Sequence, residues 1–175
     1  MSLLVTPQIR LYPPTGDLPP GRGFYQLEDD RLYIHVGPTG RHRHFFSYLE
    51  AVNVRLDFDR QAYLMFIEVA VPRRQWPVDE HLLPPTAADR AEVTWLDFRT
   101  AMASPGLVTD TRRSTLAIRF RQMAGMRAIA LAEQVLLELD ERDAAVALWV
   151  TDIEDDFAGR EIAVYRRRHA ESSSS

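Results

Sequence analysis

The chain has 175 residues, 46% of them hydrophobic and 26% charged, with a formal net charge of −4. That suffices for one core, burying about 70% of the unfolded surface, and is too short for two domains of ordinary size. The absence of cysteine excludes disulfide scaffolds, thiol nucleophiles, zinc ribbons and Cys-ligated iron–sulfur clusters.

All 21 basic residues are Arg, which excludes a Schiff-base lysine and a P-loop lysine. Because the absence of Lys is chain-wide, it reflects composition rather than one anion site. The acidic balance lacks the field that draws proteins to nucleic acid, so that partner is not expected. Met1 to Pro7 lacks the basic start of a secretory leader. The longest apolar run, Ala128 to Leu137, is broken by Glu133 and Gln134 and falls short of the roughly 18 residues of a membrane span. A cytoplasmic location without a membrane span is expected. Nothing in the residues names a cofactor or decides between a monomer and a homo-oligomer.

Residues 1–22 carry Pro7, Pro13, Pro14, Pro19 and Pro20 and read as an extended arm, with at most a short edge strand at Ile9–Tyr12. A single globular β-rich domain is expected over 23–169, and a solvated Ser tail over 170–175. Phe24 to Glu28 and Arg31 to Val36 flank Asp29-Asp30 as a tight hairpin. Val52, Val54, Leu56 and Phe58 alternate with polar residues, the period of a strand with one wet face. After a turn at 59–61, Ala62 to Val71 is apolar on both faces in its first half, as a covered central strand is. Pro72 to Arg90 is a long insertion that reads as a flap, or as a wrapping segment pinned by Trp76, Leu82 and Leu83.

Strands are expected at 93–98, 115–121, 145–151 and 161–168. Over Met123 to Glu141, Ile129, Ala132, Leu136 and Leu139 recur at spacings of three and four, predicting one long amphipathic helix over 123–141 that covers the sheet. The fold class expected is therefore α+β and β-rich. It comprises eight or nine mostly antiparallel strands in a sheet or barrel, closed by that helix and followed by a β-hairpin. The layout resembles pleckstrin-homology-like and lipocalin-like barrels at the level of fold, which implies nothing about a site.

Gly40-Arg41-His42-Arg43-His44 sets two imidazoles two residues apart. On a strand both point to one side and could ligate one metal. With Glu50 this resembles the first metal motif of cupins, jelly-roll barrels, and implies a metal-dependent enzyme or metalloprotein on His42 and His44. Gly37 to His42 leaves four intervening residues where the motif has five, and His44 to Glu50 leaves five where it has three or four.

Arg112, Arg113, Arg119 and Arg121 could gather as an anion- or phosphate-binding patch of an adaptor. The acidic run at 152–156 has Phe157 where a calcium loop needs Gly and reads as a polar loop. No nucleophile elbow and no G-x-G-x-x-G occur. Tyr63, Trp76, Trp95 and Phe98 around the long insertion point to a non-catalytic binding or assembly module, holding a small apolar ligand or a protein partner.

Overall fold

In the computed structural model, residues 4–37, 44–97, 99–156 and 159–173 are described. Their strands are β1 (Ile9–Tyr12), β2 (Gly21–Gln26), β3 (Arg31–Val36), β4 (Phe45–Glu50), β5 (Val54–Asp59), β6 (Leu64–Val69), β7 (Asp89–Arg90) and β8 (Glu92–Trp95). There follow β9 (Thr100–Ala101), β10 (Gly106–Thr109), β11 (Leu116–Arg119), β12 (Arg127–Ala132), β13 (Val135–Leu139), β14 (Ala145–Val150), β15 (Glu154–Asp155) and one helix, α1 (Arg160–Ser173).

The strands form an open sandwich. A seven-stranded sheet runs β15-β2-β3-β6-β5-β4-β9, a six-stranded sheet runs β10-β11-β14-β13-β12-β7, and β1 pairs with β8 in a two-stranded ribbon. One apolar layer fills the space between the two large sheets, as in stacked sheets generally. Ile34, Leu56, Phe58 and Ile67 come from one sheet, and Leu116, Ile118, Leu137 and Leu148 from the other. Gly21 and Gly23 face this layer where the two sheets come close together. A Cβ on Gly21 would lie 2.4 Å from the Ala132 Cβ, and one on Gly23 2.9 Å from a Val150 methyl.

Among the described residues there are fifteen strands rather than the eight or nine expected, and the architecture corrects the expected fold class in three further respects. Neither large sheet closes into a barrel: among the described residues the two edge strands of each sheet, β15 and β9 or β10 and β7, do not pair with each other. The span 123–141 is not a helix but the β12–β13 hairpin, turning at Glu133-Gln134. Val135, Leu137 and Leu139 are buried while Leu136 and Glu138 are half-buried, so period two holds alongside the helical spacing. The conflict is decided by β14, which hydrogen-bonds β13 along its length, a long-range pairing that overrides local helix preference.

The third correction is at the C-terminus, where the expected strand at 161–168 is α1. Asp156 caps that helix, its two carboxylate oxygens accepting the Glu161 N–H at 2.9 Å and the Ile162 N–H at 2.8 Å. The run Arg166-Arg167-Arg168 and Ala170 are good helix formers, and two alternating β-branched residues do not outweigh a cap.

The other expected strands lie close to their observed bounds. Val52 sits in the turn before β5 and is 95% exposed, so the alternation begins at Val54. β6 lies centrally between β3 and β5. On the same sheet α1 packs against β2, β3 and β4. The insertion wraps the six-stranded sheet, where Leu82 covers Ala117, Val146, Ala147 and Trp149. Among the described residues no helix is long and apolar enough to cross a membrane.

Candidate functional site

A cleft of about 920 Å³ lies where the Pro14–Pro20 part of the arm crosses the open end of the sandwich. Its walls come from the end of β3 (Val36), the β5–β6 turn (Asp59 to Leu64), β7 and β8 (Arg90 to Trp95) and β12 (Ala130, Leu131). Proline keeps the arm extended and removes backbone donors, and Gly16, at φ +76°, supplies the bend. The arm is tied at both ends, through the β1–β8 ladder and through the Glu133 N–H donating to Pro19 O at 3.1 Å.

Between those ties, side chains hold it. The Thr15 hydroxyl donates to Glu92 Oε1 at 2.7 Å, and the Arg90 guanidinium donates to Gly16 O at 3.0 Å. Burial and the neighbouring Glu92 carboxylate push the Tyr63 pKa up. Asp59 lies at the bottom of the β5–β6 turn and uses Oδ1 to accept the Gln61 and Tyr63 N–H groups at 2.9 and 3.0 Å. The carboxylates therefore shape the cleft mouth and the turn, and Trp95, Leu64, Val36 and Val93 supply apolar wall.

Of the aromatic residues singled out from the sequence, Tyr63 and Trp95 meet on this cleft. Trp95 is buried between Phe58, with ring centroids 5.4 Å apart, and Phe120, at 6.4 Å. Trp76 lies elsewhere. It is buried edge-on to Tyr25, and its Nε1–H donates to Val71 O at 2.9 Å, pinning the start of the insertion. Phe98 is outside the described residues.

The four arginines do not converge. Arg119 lies over the Trp149 ring at 5.9 Å and Arg121 pairs with Asp140. Arg112 and Arg113 sit in the turn at the far end of β11, about 13 Å away along the strand.

His42 is outside the described residues. His44 is half-buried, and its Nδ1 is buried without a hydrogen-bond partner. Among the described residues no three His, Asp or Glu side chains converge as metal ligands would.

Sequence reasoning missed Thr15, Arg90 and Glu92. The Thr15–Glu92 bond joins residues 77 apart, so no local spacing announces it. The one available signal was the arm's density of proline and glycine, which reads as a wrapping segment without saying what it wraps.

Comparison with protein-family models and with curated protein sequences finds no match.

Proposed function

We propose that this chain is a binding module whose arm-covered cleft holds a small, largely apolar ligand. The observation that carries this reading is the cleft itself. At about 920 Å³ it falls in the size range of small-molecule sites, and Trp95, Leu64, Val36 and Val93 give it apolar wall beside a comparable share of polar surface. Its polar groups support binding rather than turnover. Glu92 holds Thr15, Arg90 holds Gly16 and Asp59 holds the β5–β6 turn, so each already has a structural partner.

A thermal-shift screen of fatty acids and small aromatic compounds tests the proposal. A ligand at a hundred times its Kd adds about 2.7 kcal/mol, a rise of roughly 5–10 °C for a chain of this size. Ala91→Trp, which places an indole in the cleft wall, abolishes that rise. A panel that moves the parent protein nowhere refutes the reading.

A second reading rests on the buried, unpartnered Nδ1 of His44, which suits a metal ligand. It predicts stoichiometric metal in the purified protein, lost when His42 and His44 are both changed to Ala; metal analysis that finds none refutes it.

A further inference from the structure

A second, smaller cleft of about 260 Å³ lies beneath α1, on the outer face of β2 and β3. Arg22, Phe24, Tyr33 and His35 line it from the sheet, and Ile162, Val164 and Arg168 from the helix. Arg22 and His35 are cross-strand partners, which sets their Cβ atoms about 5 Å apart. From the helix, Arg168 donates to His35 Nδ1 at 3.2 Å. Two guanidinium groups thus flank one imidazole at the same end of the cleft.

Among the described residues neither guanidinium has a carboxylate within hydrogen-bonding distance. Among the described residues the polar contact of Arg168 is His35 Nδ1, an acceptor that carries no negative charge. Arg22 reaches Glu154 only at 3.9 Å, with both side chains about half exposed, an arrangement worth little. Two acids also line the cleft, Asp156 and Glu161, but both lie at the start of α1. Asp156 spends its oxygens on the helix N–H groups, and Glu161 lies seven residues before Arg168, about 10 Å along the helix axis. The cleft is therefore cationic at one end, with Phe24, Ile162 and Val164 as its apolar floor.

From this geometry we infer that the cleft under α1 binds a small organic carboxylate, its anionic head between Arg168 and Arg22 and its hydrocarbon tail over Phe24, Ile162 and Val164. Guanidinium forks match a carboxylate's two oxygens, and the volume admits a single ring with a short side chain. The bound acid bridges β2 and α1, so it fastens the helix to the sheet. This inference is independent of the arm-covered cleft.

The test titrates the full-length protein with phenylacetate and with its neutral isostere phenylacetamide, in low-salt buffer, followed by NMR. Phenylacetate binds at least roughly tenfold more tightly than the amide, the loss expected when a charge-assisted hydrogen bond is given up. Added salt weakens it. Arg22→Gln and Arg168→Gln each weaken it by roughly tenfold or more, while Arg168→Lys retains part of the affinity. Phenylacetate also slows amide exchange over 160–168 in the parent protein and not in Arg168→Gln.

Asp29→Ala removes the neighbouring tie of α1, the 2.6 Å contact of Arg166 with Asp29, at a residue outside the cleft lining, and leaves the affinity for phenylacetate unchanged. That control separates loss of the site from loosening of the helix. Equal binding of acid and amide overturns the inference. So does an affinity unmoved by both Gln variants, inorganic phosphate competing as well as phenylacetate, or no binding at millimolar concentration.

Discussion

A close approach of the two large sheets, at Gly21, can be tested at a single atom. Gly21 faces the β12–β13 hairpin, and the Gln134 N–H donates to Gly21 O at 3.2 Å, so backbone meets backbone there across the sandwich. A Cβ added at Gly21 would sit 2.4 Å from the Cβ of Ala132. Carbon atoms in contact stay about 3.5–4.0 Å apart, so Gly21→Ala imposes an overlap of about 1.1–1.6 Å. Neither Cβ can rotate away, because each is fixed to its backbone. The sheets must part locally, and overpacking of this kind costs about 1–3 kcal/mol where side chains can yield. With nothing able to yield, we expect at least about 3 kcal/mol, lowering Tm by about 6–12 °C.

Urea denaturation of Gly21→Ala, Ala132→Gly and the double variant measures the effect. The double variant removes the overlap, so the cycle shows a coupling of about 2 kcal/mol that favours it over the sum of the single changes. Gly106→Ala is the control, since the nearest atom to its added Cβ is 3.6 Å away, and it stays within about 0.5 kcal/mol of the parent. Should Gly21→Ala also stay within that margin, the close apposition of β2 and β12 is refuted.

Two further changes probe the β10–β11 turn and the start of the insertion, both outside the two clefts. Asp110 accepts the Ser114 and Thr115 N–H groups at 2.8 and 2.9 Å, and the Ser114 hydroxyl at 3.1 Å. Burial acts to raise its pKa, but these bonds prevail and hold the carboxyl below its usual range. A carboxyl with a lowered folded-state pKa contributes stability above its unfolded value, about 3.9, and loses it as pH falls through the folded value. Asp110→Ala therefore costs about 1–3 kcal/mol at pH 7, and urea midpoints measured at pH 7 and near pH 3 show the gap between variant and parent closing with acid. Trp76→Phe removes the donor to Val71 O while keeping an aromatic ring in the core. It speeds proteolysis within 72–90 and leaves cleavage elsewhere unchanged; an unaltered digestion pattern speaks against Trp76 as the pin of the insertion.

The alternation from Val54 to Phe58 was legible because one face of β5 is apolar and the other charged, and only a strand separates those faces. In β12 and β13 apolar residues fall on both faces, so the same letters satisfy periods of 2 and 3.6. The two candidate clefts were less legible still. Tyr63 and Trp95 stood out as large aromatics, but Thr15, Arg90 and Glu92 meet only because the arm crosses the open end of the sandwich. His35 and Arg168 are 133 residues apart, and no motif joins them.

By itself the sequence determined that the chain is rich in strands and without thiol or lysine chemistry, since composition and strong one-faced alternation do not depend on partners. Tertiary structure alone decided that 127–139 is a hairpin, that the covering helix is α1, and that the sheets stay open at the end the arm crosses. Each of these depends on backbone hydrogen bonds and packing between segments far apart in the chain, the pairing of β13 with β14 and the seating of α1 on β2 and β3 among them. Local propensity is worth only tenths of a kcal/mol per residue, too little to withstand such contacts.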